Sequence, residues 1–338
     1  MKVSIIMPVY NVCKYIEKAL NSALNQSFQE PYEIIIIDDC TPDNSIEIVY
    51  EVLKNHHRAS CVQLLKHTIN KGQSAARNLG LKEAKGDYIF FFDGDDEMKP
   101  EALDLLYNQM VRLNPDFVCG ETDVTNEKKN PIRHTDMFVK NGEYIEKNQH
   151  IFEKRILGDW SLTPWNKLMK KSFLINNDLY FYEGIYYEDL LWSVCVAIKA
   201  NKIAFIPEIT YTYLLHENST SSILSEKHIN SFLIETKELY QIILSQKLFE
   251  KYGKIVLRLF ELNRKLVLDW TIPKVPKKCG KMILNELRKY NLKSLKDVWM
   301  SDQLNFKLKL YTTAFYLNKL AYLYVKLLAY GGKFIKYK

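Results

Sequence analysis

The sequence predicts an α/β fold, a mostly parallel sheet with flanking helices, followed by a helical C-terminal region. Three observations predict it. Short β-branched or aromatic runs alternate with helix-length segments over residues 1–115, the pitch of βαβ units with right-handed crossovers. The runs Ile34–Ile37 and Ile89–Phe92 are apolar without alternation, as in strands covered on both faces. From Glu226 the chain turns to long stretches rich in Lys, Leu and Tyr, broken once at Pro273 and Pro276.

The elements follow in order. Val3–Met7 reads as a strand stopped by Pro8, and Asn11 as the cap of a helix running through about Gln26 that buries Tyr15, Ala19, Leu20, Ala23 and Leu24. Glu33–Ile37 is a second strand ending at Asp38-Asp39. The turn residues Pro42–Ser45 start a helix through about Lys54. Val62–Leu65 is a third strand, and the Asn70-Lys71-Gly72 turn opens a helix from Gly72 to Ala84. Strand Tyr88–Phe92, a helix after Pro100 and strand Phe117–Cys119 come next. Residues 125–148 read as loop and surface. Residues 150–222 mix helices with short strands, including Ile203–Ile206 and Thr210–Leu214. The chain thus divides into an α/β part over 1–225, with a nucleotide-fold half at about 1–115, and a basic helical region over 226–338.

Composition bounds what such a chain can do. Its 338 residues suffice for two domains or one large domain with an appendage. Residues 1–224 carry 24 Lys+Arg against 31 Asp+Glu, whereas residues 225–338 carry 23 against 9. An acidic first part suits a metal site, and a basic tail suits an anionic surface. The six cysteines are scattered with no C-x-x-C pair, which reads as reduced thiols in the cytoplasm, with neither a disulfide frame nor a zinc site. Only Lys2 precedes the first short strand, so no signal peptide is expected. No stretch reaches 18 uncharged apolar residues, so no spanning helix is expected either.

The most informative segment is Tyr88-Ile-Phe-Phe-Phe-Asp93-Gly94-Asp95-Asp96. Carboxylates crowded at a strand tip repel one another, and a divalent cation removes that repulsion. The C-terminal end of a central strand is where open α/β sheets hold ligands. A metal-diphosphate site is the expectation, and oxygen ligands favour Mg²⁺ or Mn²⁺ over zinc.

Four elements stand in order: VSIIMPVYN at 3–11, IIIIDDCTPDNS at 34–45, NKGQSAARNLGL at 70–81 and GDYIFFFDGDDEM at 86–98. With Tyr187-Glu188-Asp189-Leu190-Leu191-Trp192 and the segment Tyr211–Ser221, they resemble the inverting glycosyltransferases of family 2, of the bacterial surface-polysaccharide type, with a GT-A nucleotide-sugar fold. The resemblance is specific over the first third and loose over the last hundred residues. Over 1–225 it implies a catalytic domain, with a nucleotide-binding half at about 1–115 and a second half, about 116–225, that binds the acceptor. It implies that Pro8, Val9, Tyr10 and Asn11 wall a base pocket, and that Asp39 accepts the imide N–H of uracil. One of Asp38 and Asp39 is instead expected to cap the next turn. Arg77 pairs with phosphate oxygens, or else braces the site against an Asp. Asp95 is the metal ligand and Asp93 holds ribose or metal. Gly94 lets the backbone approach the diphosphate, and Asp96 meets acceptor or a metal-bound water. Asp189 is the implied general base with Glu188 in support, against the plainer reading of two acids at a helix N-terminus. His216 stands where relatives often carry Arg, and contacts the β-phosphate or metal unless it is structural. Ser219 and Ser221 donate to the diphosphate, and Trp165 stacks on an acceptor sugar or lies in the core.

The implied partners are a nucleotide-sugar, a UDP-sugar by expectation, and a saccharide or lipid-linked saccharide acceptor. Lys319, Lys326 and Lys333 recur every seven residues among Leu, Tyr and Phe, the pattern of an interfacial helix on the inner face of the cell membrane. A helix packed on the catalytic domain, or on a second subunit in a homodimer, gives the same pattern. The competing classes fit less well. A nucleotidyltransferase wants a Gly-rich loop where Met7-Pro8-Val9-Tyr10 stands, and a processive synthase wants spanning helices and a Q-x-x-R-W motif. A non-catalytic nucleotide-sugar or glycan binder is the remaining alternative. Nucleic acid is not an expected partner.

Overall fold

A computed structural model describes residues 1–127, 131–135, 144–146, 148–216, 224–317 and 320–331. The chain forms two compact units, Met1–Gly184 with Glu188–Ser219, and Ile185–Tyr187 with Thr220–Lys338.

The first unit is built on one sheet. Its strands are β1 (Val3–Val9), β2 (Tyr32–Asp38), β3 (Val62–Lys66), β4 (Tyr88–Phe91), β5 (Glu97–Met98), β6 (Phe117–Asn126), β7 (Pro131–Thr135), β8 (Tyr144–Glu146), β9 (Lys167–Lys170) and β10 (Lys202–Leu215). The order is β3-β2-β1-β4-β9-β6-β10-β5, with β7 on β6 and β8 on β10. The pairs β3–β2, β2–β1 and β1–β4 are parallel, as the alternation of strands and helices predicts. Beyond β4 the sheet turns mixed, because β9 runs antiparallel to both β4 and β6. All seven residues of β2 are buried, the signature of a strand covered on both faces.

The helices α1 (Ile16–Leu24), α2 (Ser45–Lys54), α3 (Gln73–Glu83), α4 (Ala102–Leu113), α5 (Asn148–Leu157), α6 (Lys171–Asn176) and α7 (Asp189–Lys199) belong to this unit. Several boundaries differ from expectation, and β7 and β8 stand where loop was expected. β1 continues through Pro8 to Val9, in register with Asp38. Asn11 does not cap α1. It adopts a left-handed backbone (φ 57°) and its N–H donates to Thr41 Oγ1 at 2.8 Å. The two short strands expected at Ile203 and Thr210 are one strand, β10, with irregular register between Phe205 and Tyr211. Pro207 lies in that bulge, where a missing N–H costs no ladder bond.

β1 has β2 on one side and β4 on the other, reached by crossovers in opposite directions. The carboxyl ends of β1 and β4 therefore flank the crevice in which open α/β sheets bind ligands.

The second unit is helical: α8 (Glu226–Ser245), α9 (Leu248–Tyr252), α10 (Ile255–Thr271), α11 (Lys277–Leu287), α12 (Leu295–Met300), α13 (Phe306–Thr313) and α14 (Ala321–Gly331). Its polar keystone is Arg264, fully buried, which grips Glu261 of the same helix and donates to Asn291 Oδ1 at 2.9 Å and the Tyr290 carbonyl at 3.1 Å. The Phe315 ring lies 3.8 Å from the guanidinium. On α14, Ala321, Tyr322 and Val325 are buried and Leu323 and Leu327 are exposed, as is Leu320 just before it. Lys326 is exposed beside them, whereas Lys319 and Lys333 lie outside the described residues. No helix among the described residues is long and apolar enough to cross a membrane. Replacing Arg264 by Ala strands the Glu261 charge in the core. The expected loss is ~3–5 kcal/mol of stability, read by chemical denaturation. An unchanged unfolding midpoint would remove Arg264 as keystone.

Candidate functional site

Two loops at the end of β1 and β2 form a preorganised corner. The Asp43 carboxylate accepts from the Cys13 N–H at 2.9 Å, from Thr41 Oγ1 at 2.7 Å and from Ser45 Oγ at 2.6 Å. These donors hold it well below the usual carboxylate range, against the opposing effect of burial. Strand alternation then sorts the expected wall residues. Val9 is fully buried in the core and is not part of a pocket surface, which corrects the expectation for it. Tyr10 is 47% exposed, with Pro8 half-buried and Asn11 exposed beside it.

Asp38 and Asp39 divide as expected, with one capping. Asp38 Oδ1 accepts from the Thr41 N–H at 2.9 Å, and its other oxygen pairs with Lys66. Asp39 turns inward. Oδ1 meets His67 Nδ1 at 2.6 Å and the Lys71 N–H at 2.9 Å, and Oδ2 accepts from Gly72 N–H at 2.8 Å and Asn70 Nδ2 at 3.0 Å. Four contacts fill a carboxylate's hydrogen-bonding capacity. A base imide would reach Asp39 only in exchange for one of them.

Arg77 on α3 is 1% exposed. Nη2 donates to Asp93 Oδ1 and Nη1 to Glu188 Oε1, both at 2.8 Å, and Nη1 lies 3.6 Å from Asp189 Oδ1. Its fork is spent on carboxylates, not turned out for phosphate, so the bracing alternative describes this geometry and the phosphate role does not. The three acids hold the guanidinium charged in spite of burial. Gln73 Nε2 adds a second donor to Asp93 Oδ1 at 3.0 Å.

The acid run itself splits three ways. Asp93 is committed to Arg77 and Gln73. Asp96 is 1% exposed, accepting from Tyr211 Oη at 2.8 Å and the Leu214 N–H at 2.9 Å. That corrects the acceptor role expected of Asp96: it fastens β10 to the end of β4. Burial, with Asp95 and Asp93 nearby, pushes its carboxyl well above the ordinary range. Asp95 is the most exposed of the three, its side chain 24% exposed against 17% for Asp93, with Oδ2 2.9 Å from His216 Nε2. His216 Nδ1 is buried with no partner among the described residues. The Tyr15 ring lies 4.5 Å from the His216 ring, tilted by 32°, and its hydroxyl donates to Glu127 Oε1 at 2.6 Å. Burial first, and Glu127 second, push the Tyr15 phenol up to about 12. Gly94 is packed tightly, since a Cβ there would stand 3.2 Å from the Pro8 carbonyl. Among the described residues no cluster of three His, Cys, Asp or Glu side chains could by itself hold a metal. Asp95 and His216 fit a cation that takes its other ligands from a diphosphate and water, as Mg²⁺ commonly does. Ser219 and Ser221 lie outside the described residues.

Glu188 and Asp189 begin α7, with Glu188 buried and Asp189 a quarter exposed. Asp189 Oδ1 is sealed from solvent and accepts no hydrogen bond among the described residues. Burial, and then the Glu188 charge, push the Asp189 carboxyl up to about 8, opposed by Arg77. Trp165 is half-buried and stacks on Tyr211 at 4.8 Å and Tyr213 at 5.5 Å. Its neighbour Asn166, left-handed at φ 58°, ties β6 to β10 by donating to the Gly120 and Glu121 carbonyls and accepting from Thr210. Sequence reasoning missed Tyr15, Asp43, His67 and Gln73. The partners of Tyr15, His67 and Gln73 lie in other segments, and Asp43, in a turn legible from sequence, takes its role from the distant Cys13 N–H.

Residues 4–176 match the sequence model of Glycosyl transferase family 2. A cholesterol galactosyltransferase of Borreliella burgdorferi is 28% identical over 244 residues, covering 70% of this chain and 66% of that protein. A poly(ribitol-phosphate) beta-glucosyltransferase of Bacillus spizizenii is 31% identical over 267 residues, covering 78% of this chain and 40% of that protein. The chain thus spans less than two thirds of the length of either relative. The crystal structure of S. aureus TarS 1–349 in complex with UDP-GlcNAc has the same fold, with a TM-score of 0.76 and 22% identity over 98% of this chain and 92% of that one. With its strand order, its acid-tipped β4 and a family match over more than half its length, the chain belongs to glycosyl transferase family 2.

Proposed function

We propose that the protein is a metal-dependent inverting glycosyltransferase. It moves one sugar from a nucleotide-sugar, a UDP-sugar, to a hydroxyl of a saccharide acceptor in surface-polysaccharide synthesis, such as capsule or O-antigen. One observation carries the reading. At one sheet end an outward carboxylate beside an imidazole (Asp95, His216) accompanies a carboxyl raised towards neutrality with an unbonded oxygen (Asp189). The relatives' names support a sugar transfer, and the UDP-GlcNAc complex of TarS supports a uridine nucleotide.

Tyr10 and Pro8 offer the base a surface on a corner fixed by Asp43. Asp95 and His216 would hold Mn²⁺ or Mg²⁺, which when bound supplies positive charge to the leaving diphosphate. Asp93 is the candidate for the ribose, and the half-buried Trp165 for the acceptor sugar. Asp189 takes the proton of the acceptor hydroxyl as that oxygen attacks the anomeric carbon opposite the diphosphate. Its raised affinity for protons suits it to the task, and Arg77 keeps the ionised form within reach. One displacement inverts the anomeric centre, with no covalent intermediate on the protein.

A lipid-linked acceptor would place the protein in the cytoplasm, peripheral on the inner face of the cell membrane. The exposed Leu320, Leu323 and Leu327, with Lys326 and the basic second unit, favour that placement, and six free thiols suit a reducing compartment.

Asp189→Asn is expected to lower turnover by ~10²–10⁴-fold with donor binding retained. Unchanged turnover would remove Asp189 as base. In the native protein kcat/KM should climb with pH through about 8, as Asp189 loses its proton. Glu188→Gln should move that limb to lower pH, because the Glu188 charge raises Asp189. A profile flat from pH 6 to 9 contradicts the assignment. UDP is expected to raise the melting temperature more with Mn²⁺ than without, and Asp95→Asn to abolish the difference. A manganese-independent shift would argue against the cation site. A panel of UDP-sugars with Mn²⁺ separates an enzyme from a non-catalytic binder, since a binder is stabilised but releases no UDP. Finally, full-length protein should sediment with vesicles rich in phosphatidylglycerol, and a chain ending at Asp302 should not. Equal soluble fractions would rule out a membrane role for the tail.

A further inference from the structure

Three large apolar side chains stand in water at the bend between α12 and α13 of the second unit. Trp299 is 41% exposed, Met300 72% and Phe306 68%. Single exposed apolar residues are ordinary, but neighbouring ones mark a binding surface. These are neighbours. Trp299 and Met300 are adjacent in the chain, and the Phe306 ring lies 6.1 Å from the indole with planes 71° apart. Nor are they the remains of an unfinished core. The bend has its own, in which Val298, Leu304 and Leu308 close on Leu257.

The display is braced. Trp299 Nε1 donates to Thr313 Oγ1 at 3.1 Å, and Lys309 Nζ donates to the Trp299 carbonyl at 2.9 Å, so α12 and α13 are tied together through the indole's own residue. Both helix starts are capped: Ser294 Oγ accepts from the Asp297 N–H at 3.3 Å, and Asn305 Oδ1 from the Leu308 N–H at 2.9 Å. A surface fixed in this way loses little further conformational freedom on binding.

The charge around the bend selects what it meets. Residues 293–309 carry four lysines against two aspartates. Lys296 and Lys307 are exposed. Of the acids, Asp297 is spent on the Ser294 hydroxyl at 2.6 Å, and Asp302 has Lys254 4.0 Å away. An indole, a phenyl ring and a thioether ringed by lysines suit a surface that is anionic outside and apolar beneath, where aromatic side chains are at home. A second copy of the chain fits worse, because a symmetric contact would bring the same lysines against one another.

We infer that the α12–α13 bend is a membrane-insertion tip: Trp299, Met300 and Phe306 enter the headgroup region of an anionic phospholipid leaflet, and Lys296 and Lys307 pair with its phosphates. The inference rests on the peripheral membrane placement proposed above and deepens it, since it assigns the contact to residues outside α14.

The test uses the full-length protein and vesicles of phosphatidylcholine, alone or mixed equally with phosphatidylglycerol. Native protein should sediment only with the mixed vesicles. Met300→Ser with Phe306→Ser should weaken that binding by ~10-fold or more, with the melting temperature unchanged because both side chains lie in water. Lys296→Gln with Lys307→Gln should weaken it by ~10-fold, and high salt should do the same to the native protein. With phosphatidylglycerol brominated on its acyl chains, native tryptophan emission should fall. Trp299→Phe should still bind and lose that quenching. Native binding by the Met300→Ser, Phe306→Ser protein, or undiminished quenching in Trp299→Phe, would overturn the inference. If Leu323→Ser with Leu327→Ser then abolishes binding, the contact lies on α14 and the peripheral placement survives. Native protein that sediments with neither vesicle sinks both. A dimer in solution that Met300→Ser with Phe306→Ser splits, while vesicle binding stays native, would make the bend a contact between copies and overturn the inference as well.

Discussion

A single buried cation organises the sheet end. Arg77 brings Asp93, from the loop after β4, together with Glu188 and Asp189 at the start of α7. Without it, three carboxylates would share a largely dry space, and their repulsion would drive them apart or leave them protonated. With it, two are fixed by 2.8 Å bonds and the third stays close but unbonded. The inequality matters chemically. A carboxylate held by strong hydrogen bonds is a poor base, and one left free beside a cation can still take a proton. The arginine thus shapes the division of labour among the acids without needing to touch a substrate.

The same division of labour runs through Asp93, Asp95 and Asp96. Consecutive side chains at the end of a strand cannot all face one ligand. Asp93 turns to α3, Asp96 turns to Tyr211 and Leu214, and Asp95 remains outward. Asp96 fastens β10 to the loop after β4, and the same strand leads into His216, the imidazole beside Asp95. What reads in sequence as a crowded acidic cluster is three carboxylates with separate partners, of which Asp95 is the most exposed.

Much of the fold was legible. The apolar runs at β1, β2 and β4, the glycine turn before α3 and the break near Pro273 all follow from local periodicity and backbone sterics. Less was legible where one element's meaning lies in another. Arg77 read as a phosphate ligand, with a brace as the alternative, because the choice depends on Glu188, 111 positions away. The strand order could not be read either. β9 enters the sheet antiparallel between β4 and β6 and carries no mark of direction in its four residues. Ile203–Ile206 and Thr210–Leu214 read as two strands, and a bulge around Pro207 joins them into one. Val9 was recoverable: its alternation with Pro8 and Tyr10 already sends it to the core.

The aromatic pair above the acids has a use beyond shape. Trp165 and Tyr211 lie 4.8 Å apart, 7° from parallel, and the tyrosine hydroxyl is bonded to Asp96. Two chromophores locked in so fixed and asymmetric a relation give this sheet end its own near-ultraviolet circular dichroism. Because one of them is wired to the acidic loop, that signal is a built-in optical gauge of events there, readable without a label.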